Sequence, residues 1–281
     1  MRTAVFTAFA LVAFAGNSLL CRMALGQATI DAASFSTIRI IAGAICLWLI
    51  TVVTRRGSVW TQGSWLSAAI LFVYVIPFSY AYGLLTAGTG ALILFGTVQV
   101  TMIGGALVEG ERPRAGQWVG LLVAIGGLVY LLLPGIASPS PLGAGLMAIA
   151  GVAWALYSIQ GRGAVDPVAQ NGGNFVLTLP MLLLVSVLAL KLQHIEASGA
   201  ILAILSGAVT TGLGYAVWYS ALPGLTATRA ALVQLLVPVI TVTAGVVFLR
   251  EPLSPRVLLS AVIVIGGIAL ALTANERTPT V

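Results

Sequence analysis

The chain has 281 residues, 59% of them hydrophobic and only 7% charged, with a formal net charge of +6. A soluble domain averages about a quarter charged residues. The 13 basic and 7 acidic side chains here cannot build a water-facing shell, so the composition excludes a soluble globular protein and points to lipid as the outer solvent. The basic residues stand singly or in pairs between apolar runs, which is how short membrane loops look and not how a nucleic-acid surface looks.

An α-helix rises about 1.5 Å per residue, so about 20 residues cross a hydrocarbon core of about 30 Å. Ten runs of spanning length stand near 4–24, 32–54, 64–84, 87–108, 115–133, 142–161, 170–190, 198–220, 227–249 and 255–274. Helices satisfy every backbone group internally, which lipid requires, so the expected fold is an all-α integral membrane protein of ten transmembrane helices.

The first run follows Arg2 and could pass for a secretory leader. It has no clean A-x-A cleavage site, and Leu19-Leu20-Cys21 lacks the small residue that a lipoprotein site needs, so it reads as a retained helix. It carries Asn17 in mid-run. The second run holds Arg39, the one basic residue well inside a run. The reading taken is an interfacial side chain that snorkels outward, with a cavity charge that binds a carboxylate as the alternative.

Runs three and four contain Pro77, Gly83 and Gly96, which soften or break a helix. They also carry Ser79, Tyr80, Tyr82, Gln99 and Thr101. Runs six to nine repeat that mixture with Trp154, Tyr157, Ser158, Tyr215, Trp218 and Gln234, and with breakers at Gly212, Gly214 and Pro238. A buried amide without a partner costs several kcal/mol, so Gln99 and Gln234 are expected to point inward. Trp60, Trp65 and Trp118 lie near run ends and read as an interfacial belt. Small residues at i, i+4 are the candidate helix contacts: Gly120/Ala124, Gly151/Ala155 and Gly207/Thr211.

The chain is written twice. At an offset of 140 positions, Ala81 to Leu132 aligns without a gap to Ala221 to Leu272. Identical residues recur at Leu85/Leu225, Thr86/Thr226, Ala87/Ala227, Glu111/Glu251, Gly126/Gly266 and Gly127/Gly267, among others. About a quarter of the window matches, against roughly a tenth expected from so biased a composition. The offset also pairs Ser18 with Ser158, Arg22 with Arg162 and Phe35 with Phe175. The expected division is a first repeat over 1–135, a second over 136–275 and a polar tail over 276–281.

Five helices per copy is an odd number, so consecutive copies would cross the membrane in opposite senses, as an inverted repeat. Eight basic residues fall on the N-terminal side against at most five on the other, which places both termini in the cytoplasm of a multi-pass inner-membrane protein. Glu111 and Glu251 each precede a helix and are read as caps, with a gate ion pair to Arg112, Arg114 or Arg250 as the alternative.

No catalytic set is assembled by these residues. His194, the single histidine, falls in a loop, and no H-E-x-x-H or intramembrane pair of aspartates exists. The two cysteines, Cys21 and Cys46, imply neither a disulfide nor a metal framework. The expectation is a transporter and not an enzyme, with no cofactor or metal, working as a monomer in the bilayer on a small-molecule substrate. Interrupted helices in corresponding positions of two repeats point to a transport site and its hinges. The site expected is a midplane cavity walled by Asn17, Ser79, Tyr80, Tyr82, Gln99, Thr101, Trp154, Tyr157, Ser158, Tyr215, Trp218 and Gln234. Its hinges are Pro77, Gly83, Gly96, Gly212, Gly214 and Pro238.

The Leu-Thr-Ala turns at 85–87 and 225–227, the stretch Thr228-Arg229-Ala230-Ala231-Leu232 and Pro238 carry a resemblance to a known family. So do the ends Gly110-Glu111-Arg112 and Arg250-Glu251-Pro252, each followed by Gly-Gly about 15 residues on. The chain resembles the drug/metabolite transporter superfamily, in its ten-helix, two-copy exporter branch, and within it the bacterial exporters of aromatic and neutral amino acids. The resemblance implies a central site between the copies and gating by helices three, four, eight and nine. The four-helix multidrug relatives carry a carboxylate in their first helix and this sequence does not, so facilitative export of neutral or zwitterionic metabolites, amino acids first among them, is the leading expectation. Proton-coupled export of lipophilic compounds is the alternative.

Overall fold

The computed structural model describes residues 2–54, 58–108, 115–133, 138–161, 164–221, 224–225 and 233–274. The helices in chain order are α1 (Arg2–Gly26), α2 (Ala32–Val53), the short α3 (Val59–Gln62), α4 (Trp65–Leu84), α5 (Ala87–Val108), α6 (Ala115–Leu132), α7 (Pro141–Gln160) and α8 (Pro167–Leu188). Next come α9 (Ala197–Leu205), a wider π-helical stretch at Ser206–Leu213, α10 (Gly214–Ala221), α11 (Leu236–Leu249) and α12 (Pro255–Thr273). Among the described residues there is no strand, only an isolated bridge between Ile30 and Ile195.

Seven helical segments are long and apolar enough to cross a membrane, and Ala87–Met102, Leu236–Leu249 and Pro255–Ala271 are shorter apolar helices. The chain is thus an all-helical, multi-pass membrane protein. Large apolar side chains such as Val53, Leu122, Leu184 and Leu258 are exposed on the outside, as a lipid solvent permits. Trp60, Trp65 and Trp118 are also exposed.

Helix starts follow local chemistry. Asp31 Oδ1 accepts from Ser34 N at 2.9 Å and opens α2. Asp166 Oδ1 accepts from Val168 N and Ala169 N and opens α8, with Pro167 at a position that needs no N–H. The break between the third and fourth runs is real: α4 ends at Leu84 and α5 starts at Ala87. Two runs differ from expectation. The run at 198–220 is not one regular helix but widens over Ser206–Leu213. The run at 227–249 is broken, because the helical backbone at 233–234 stops at Leu235 and α11 begins at Leu236. Pro238 therefore sits in the first turn of α11, where its missing N–H is not needed, and not inside a helix that it would kink.

The packing between the two halves falls into a few pairings. Helix α2 lies on α8, α5 on α11, and α6 on α12. Helix α4 lies on α7, as α1 lies on α10. Helix α5 also touches α7, as α1 touches α11, while α2 meets the π stretch and α4 meets α8. Small residues set the closest approaches, since lipid offers no hydrophobic reason for helices to associate. A Cβ on Gly267 would lie 2.6 Å from Ala124 N and 2.7 Å from Gly120 O, and one on Gly120 would meet the backbone of Gly267 and Ala271. Gly207 packs on the Arg39 carbonyl with no room for a Cβ. Gly151 rests on Thr97 and Leu94.

Candidate transport cavity

A narrow buried cleft of about 30 Å³ lies between the halves. One half supplies Phe14, Asn17 and Ser18 from α1, Tyr74 and Phe78 from α4, and Leu94 and Phe95 from α5. The other supplies Trp154 from α7, Thr210 and Thr211 from the π stretch, Tyr215 from α10, and Gln234. Two pairs of these wall positions are partners in the sequence duplication: Phe14 with Trp154, and Leu94 with Gln234, each 140 positions apart. A larger groove between α4 and α7, lined by Ile70, Val73, Ile149 and Val152, faces lipid and is almost wholly apolar, so it offers no directional recognition.

The wall is a chain of aromatic rings. Centroid distances run 5.8 Å for Trp218–Phe14, 6.1 Å for Phe14–Tyr215, 5.3 Å for Tyr215–Trp154, 5.0 Å for Trp154–Tyr74, 5.1 Å for Tyr74–Phe78 and 4.9 Å for Phe78–Tyr82. Such contacts fix ring planes more firmly than aliphatic packing does.

Polar groups enter at the π stretch. Ser206 Oγ donates to Asn17 Oδ1 at 2.7 Å, and Thr210 Oγ1 lies 3.4 Å from the same oxygen. Thr210 and Thr211 both donate to the Ser206 carbonyl at 2.8 Å, from four and five residues on. Wider turns of this kind leave carbonyls that hydroxyls can satisfy, and they recur at functional sites. The amide of Asn17 thereby ties α1 to the irregular part of the facing helix.

The sequence-predicted candidates divide into several groups. Asn17, Trp154, Tyr215 and Gln234 lie on the cavity wall. Trp218 stands behind it against Phe14, and Tyr82 is fully buried beyond Phe78, under Gly90. Ser79 is buried and bonded to Ser36 Oγ at 2.8 Å. Gln99 is buried in α5 but does not line the cavity. Thr101 and Ser158 spend their hydroxyls on the carbonyls of Thr97 and Trp154, one turn back in their own helices. Tyr80 is 43% exposed on the outer face of α4, a place that faces lipid and not substrate.

Tyr157 belongs to a second polar cluster. Its hydroxyl donates to Asn171 Oδ1 at 2.7 Å and accepts from Asn174 Nδ2 at 3.1 Å. Asn17 and Tyr157, 140 positions apart and so equivalent in the duplication, each serve their own network.

Of the candidate hinges, Pro77 lies inside an unbroken α4, and Gly83 has open space around it. Gly96 packs against Leu128 and Val264. Gly212, in the π stretch, faces Cys46, and Gly214 faces Ala13.

Phe14, Ser18, Tyr74, Phe78, Leu94, Phe95, Thr210 and Thr211 line the cavity but were not assigned to it from the sequence. Their signal was there in part: Tyr74, Phe78 and Tyr82 recur at four-residue steps, and Thr210-Thr211 is flanked by Gly207 and Gly212. Arg39 corrects the sequence reading most sharply. It is 1% exposed and does not snorkel. Its guanidinium carbon lies 4.9 Å from the Phe78 ring centroid and 5.7 Å from that of Tyr74.

One end of the bundle is clamped by ions. Arg22 Nε donates to Glu251 Oε1 at 2.8 Å, and Arg22 Nη1 donates to the Tyr82 carbonyl at 3.0 Å. Glu251 Oε2 accepts from Ala87 N at 2.8 Å. Glu251 is therefore both a cap and an ion-pair member, but it caps α5 of the other half, and its partner is Arg22. The matching Glu111, with Arg112 and Arg114, lies outside the described residues.

Comparisons with known proteins agree with this architecture. Residues 141–273 match the EamA-like transporter family. An uncharacterized protein of Pseudomonas aeruginosa is 49% identical over 96% of this chain and 94% of its own length. An uncharacterized transporter of Bacillus subtilis is 23% identical over 88% of this chain and 89% of its own. A probable amino-acid metabolite efflux pump of Salmonella typhimurium is 30% identical over 65% of this chain and 66% of its own. A crystal structure superposes with a TM-score of 0.68 at 19% identity, covering 99% of both chains, and shares the fold. The chain belongs to the EamA-like drug/metabolite transporter family.

Proposed function

We propose that this protein exports small neutral or zwitterionic metabolites, amino acids first among them, from the cytoplasm by alternating access around the cavity between its halves. Ten crossings of the inner membrane, in two inverted five-helix repeats with both termini cytoplasmic, make up the working unit. The observation that carries this reading is the exchange of roles between the halves. The third helix of each half lies on the first of the other, and the fourth on the first, while second meets second, fourth meets fourth and fifth meets fifth. That set of pairings is what a twofold axis in the membrane plane would generate. The cavity then lies where rocking of one half on the other would open it to either side.

The wall chemistry supports the substrate class. Aromatic faces with a few amides and hydroxyls suit a body that is partly apolar and carries one or two polar groups. The efflux pump of Salmonella typhimurium, by its name, handles amino-acid metabolites, which agrees with that class. Among the described residues, the carboxylates Asp31, Asp166, Glu196 and Glu251 sit at helix ends or in loops. Among the described residues no carboxylate or histidine lies on the cavity wall, which favours movement down the substrate's own gradient. The Arg22–Glu251 clamp joins helix ends on the side of the bundle away from the N-terminus, where it can serve as a gate.

Counterflow in proteoliposomes tests the proposal. Preloading with unlabelled amino acid should accelerate entry of label, which a channel does not do. Uptake that collapses when the proton gradient alone is dissipated would replace the facilitative reading with a proton-coupled one.

A further inference from the structure

We propose that Arg39 is the anchor for a carboxylate group of the transported molecule, so that the protein selects small carboxylates with an aromatic or apolar body over their uncharged amides. This rests on the export reading above for the purpose of the cavity, and it adds what the cavity grips.

The argument starts from the cost of the side chain. A cation at bilayer depth is expensive, and buried charges in proteins are paired or hydrogen-bonded. Arg39 is 1% exposed, yet its Nε and Nη1 have no hydrogen-bond partner. No carboxylate forms an ion pair with it among the described residues. The ionisable groups that face it are the phenols of Tyr74 and Tyr215 and the thiol of Cys21, from α4, α10 and α1, and none of them supplies an anion at neutral pH. What holds the charge now is the faces of Phe78 and Tyr74 and a hydrogen bond to the Tyr74 hydroxyl, and these offset only part of the desolvation while Nε and Nη1 stay unpaired. A residue needed only for packing would not be an arginine here.

The position is as telling as the charge. Tyr74, Phe78 and Tyr215 surround the guanidinium, and the same three side chains line the cavity. The charge therefore lies directly behind the cavity wall, screened from it by two rings. Rotation of the Phe78 ring exposes the guanidinium to a ligand. A carboxylate arriving there accepts from the free donors in a dry site, where a charge-assisted pair is strong. The substrate's apolar body then takes the ring chain from Tyr74 to Trp154, and an ammonium group, where present, finds the faces of Trp154 and Tyr215. The pair exists only while substrate is bound, so empty and loaded states differ by the full penalty of an unpaired charge, which is the differential interaction that a conformational change requires.

The test is binding to the purified full chain in lipid nanodiscs, read by intrinsic tryptophan fluorescence and by thermal shift. The probes are the common amino acids with their amides, phenylacetate with phenylacetamide, and sodium chloride against sodium sulfate at equal ionic strength as the inorganic-anion arm. The expected result is that at least one acid binds and its amide binds at least tenfold more weakly, while chloride has no effect. Arg39→Gln should abolish the preference and Arg39→Lys should keep part of it. Equal binding of acid and amide by the unaltered protein, no binding by any acid, or displacement of the probe acid by chloride at equal concentration would each overturn the proposal, whether or not the variants fold. A preference for acids without counterflow would sink the export reading and leave the carboxylate anchor standing. Counterflow of amides as fast as of acids would do the reverse.

Discussion

Arg22 and Glu251 stand 229 positions apart in the chain and 2.8 Å apart in space, and they join four helix ends at one face of the bundle. Through Tyr82 O and Ala87 N, the pair holds the end of α4 and the start of α5 to the ends of α1 and α11. Their side chains are 24% and 11% exposed, so the pair is shielded from salt more than a surface pair would be.

The first prediction concerns that clamp. Glu251→Gln keeps the shape and removes the charge, and it should cost about 1–2 kcal/mol, the difference between charged and neutral hydrogen bonds. Arg22→Met should cost a similar amount. Because the two act as one unit, the double variant should lose no more than the worse single one, in thermal unfolding followed in detergent. Losses that add would show that the residues act independently.

The second concerns the closest helix contact. Gly267→Val places carbon where the Ala124 N and Gly120 O already stand, 2.6 and 2.7 Å from a Cβ. Helices α6 and α12 must then separate, at a cost of about 1–3 kcal/mol or more. Size-exclusion chromatography should show a lower folded yield. Gly266→Val meets open space and serves as the control, with yield unchanged.

Arg250 supplies the third. It closes α11 with φ of 54°, a left-handed conformation that a side chain resists. Glu251 N donates to Gly245 O at 3.1 Å across this turn. The equivalent position in the first half of the sequence is Gly110. Arg250→Gly should raise stability by about 1 kcal/mol. A fall in melting temperature would show that the guanidinium contributes more than the strain costs.

A fourth follows from Asn17. Asn17→Ala removes the acceptor for Ser206 Oγ. Loss of that buried hydrogen bond should destabilise by about 1–2 kcal/mol. The π stretch would lose its tie to α1, and counterflow should fall about tenfold, the size expected for 1.4 kcal/mol at the site. Full counterflow in a folded variant would remove Asn17 from the working cavity.

Much of the helix layout was legible because lipid demands one thing of every span, length, and loops interrupt that length with charge and proline. The break at Leu85–Thr86 shows how little punctuation suffices. Facing is harder. Tyr80 and Tyr82 are two residues apart, which on a helix turns them to opposite sides, yet an all-apolar neighbourhood gives no stripe to say which side is inner. Tyr82 is buried and Tyr80 lies in lipid. The same loss of contrast hid the direction of Arg39. The π stretch was only half visible: Gly207 and Gly212 mark Ser206–Leu213 as a soft point, but nothing local specifies a wider turn, and its tie to Asn17 lies 189 positions away. Hydroxyls such as those of Thr101 and Ser158 read as cavity groups in sequence but satisfy their own backbone.

The burial of Arg39 also bears on how the chain is made. The rings that cover its charge belong to α4, which leaves the ribosome after α2. At the translocon, α2 must therefore partition into the membrane bare, carrying an arginine worth about +2.5 to +3.5 kcal/mol at a helix centre. Its isoleucines, leucines and valines supply the compensation. With a mean hydropathy of 2.0, the highest of the seven spans long enough to cross, α2 can bear that cost until Tyr74 and Phe78 arrive to shelter the charge.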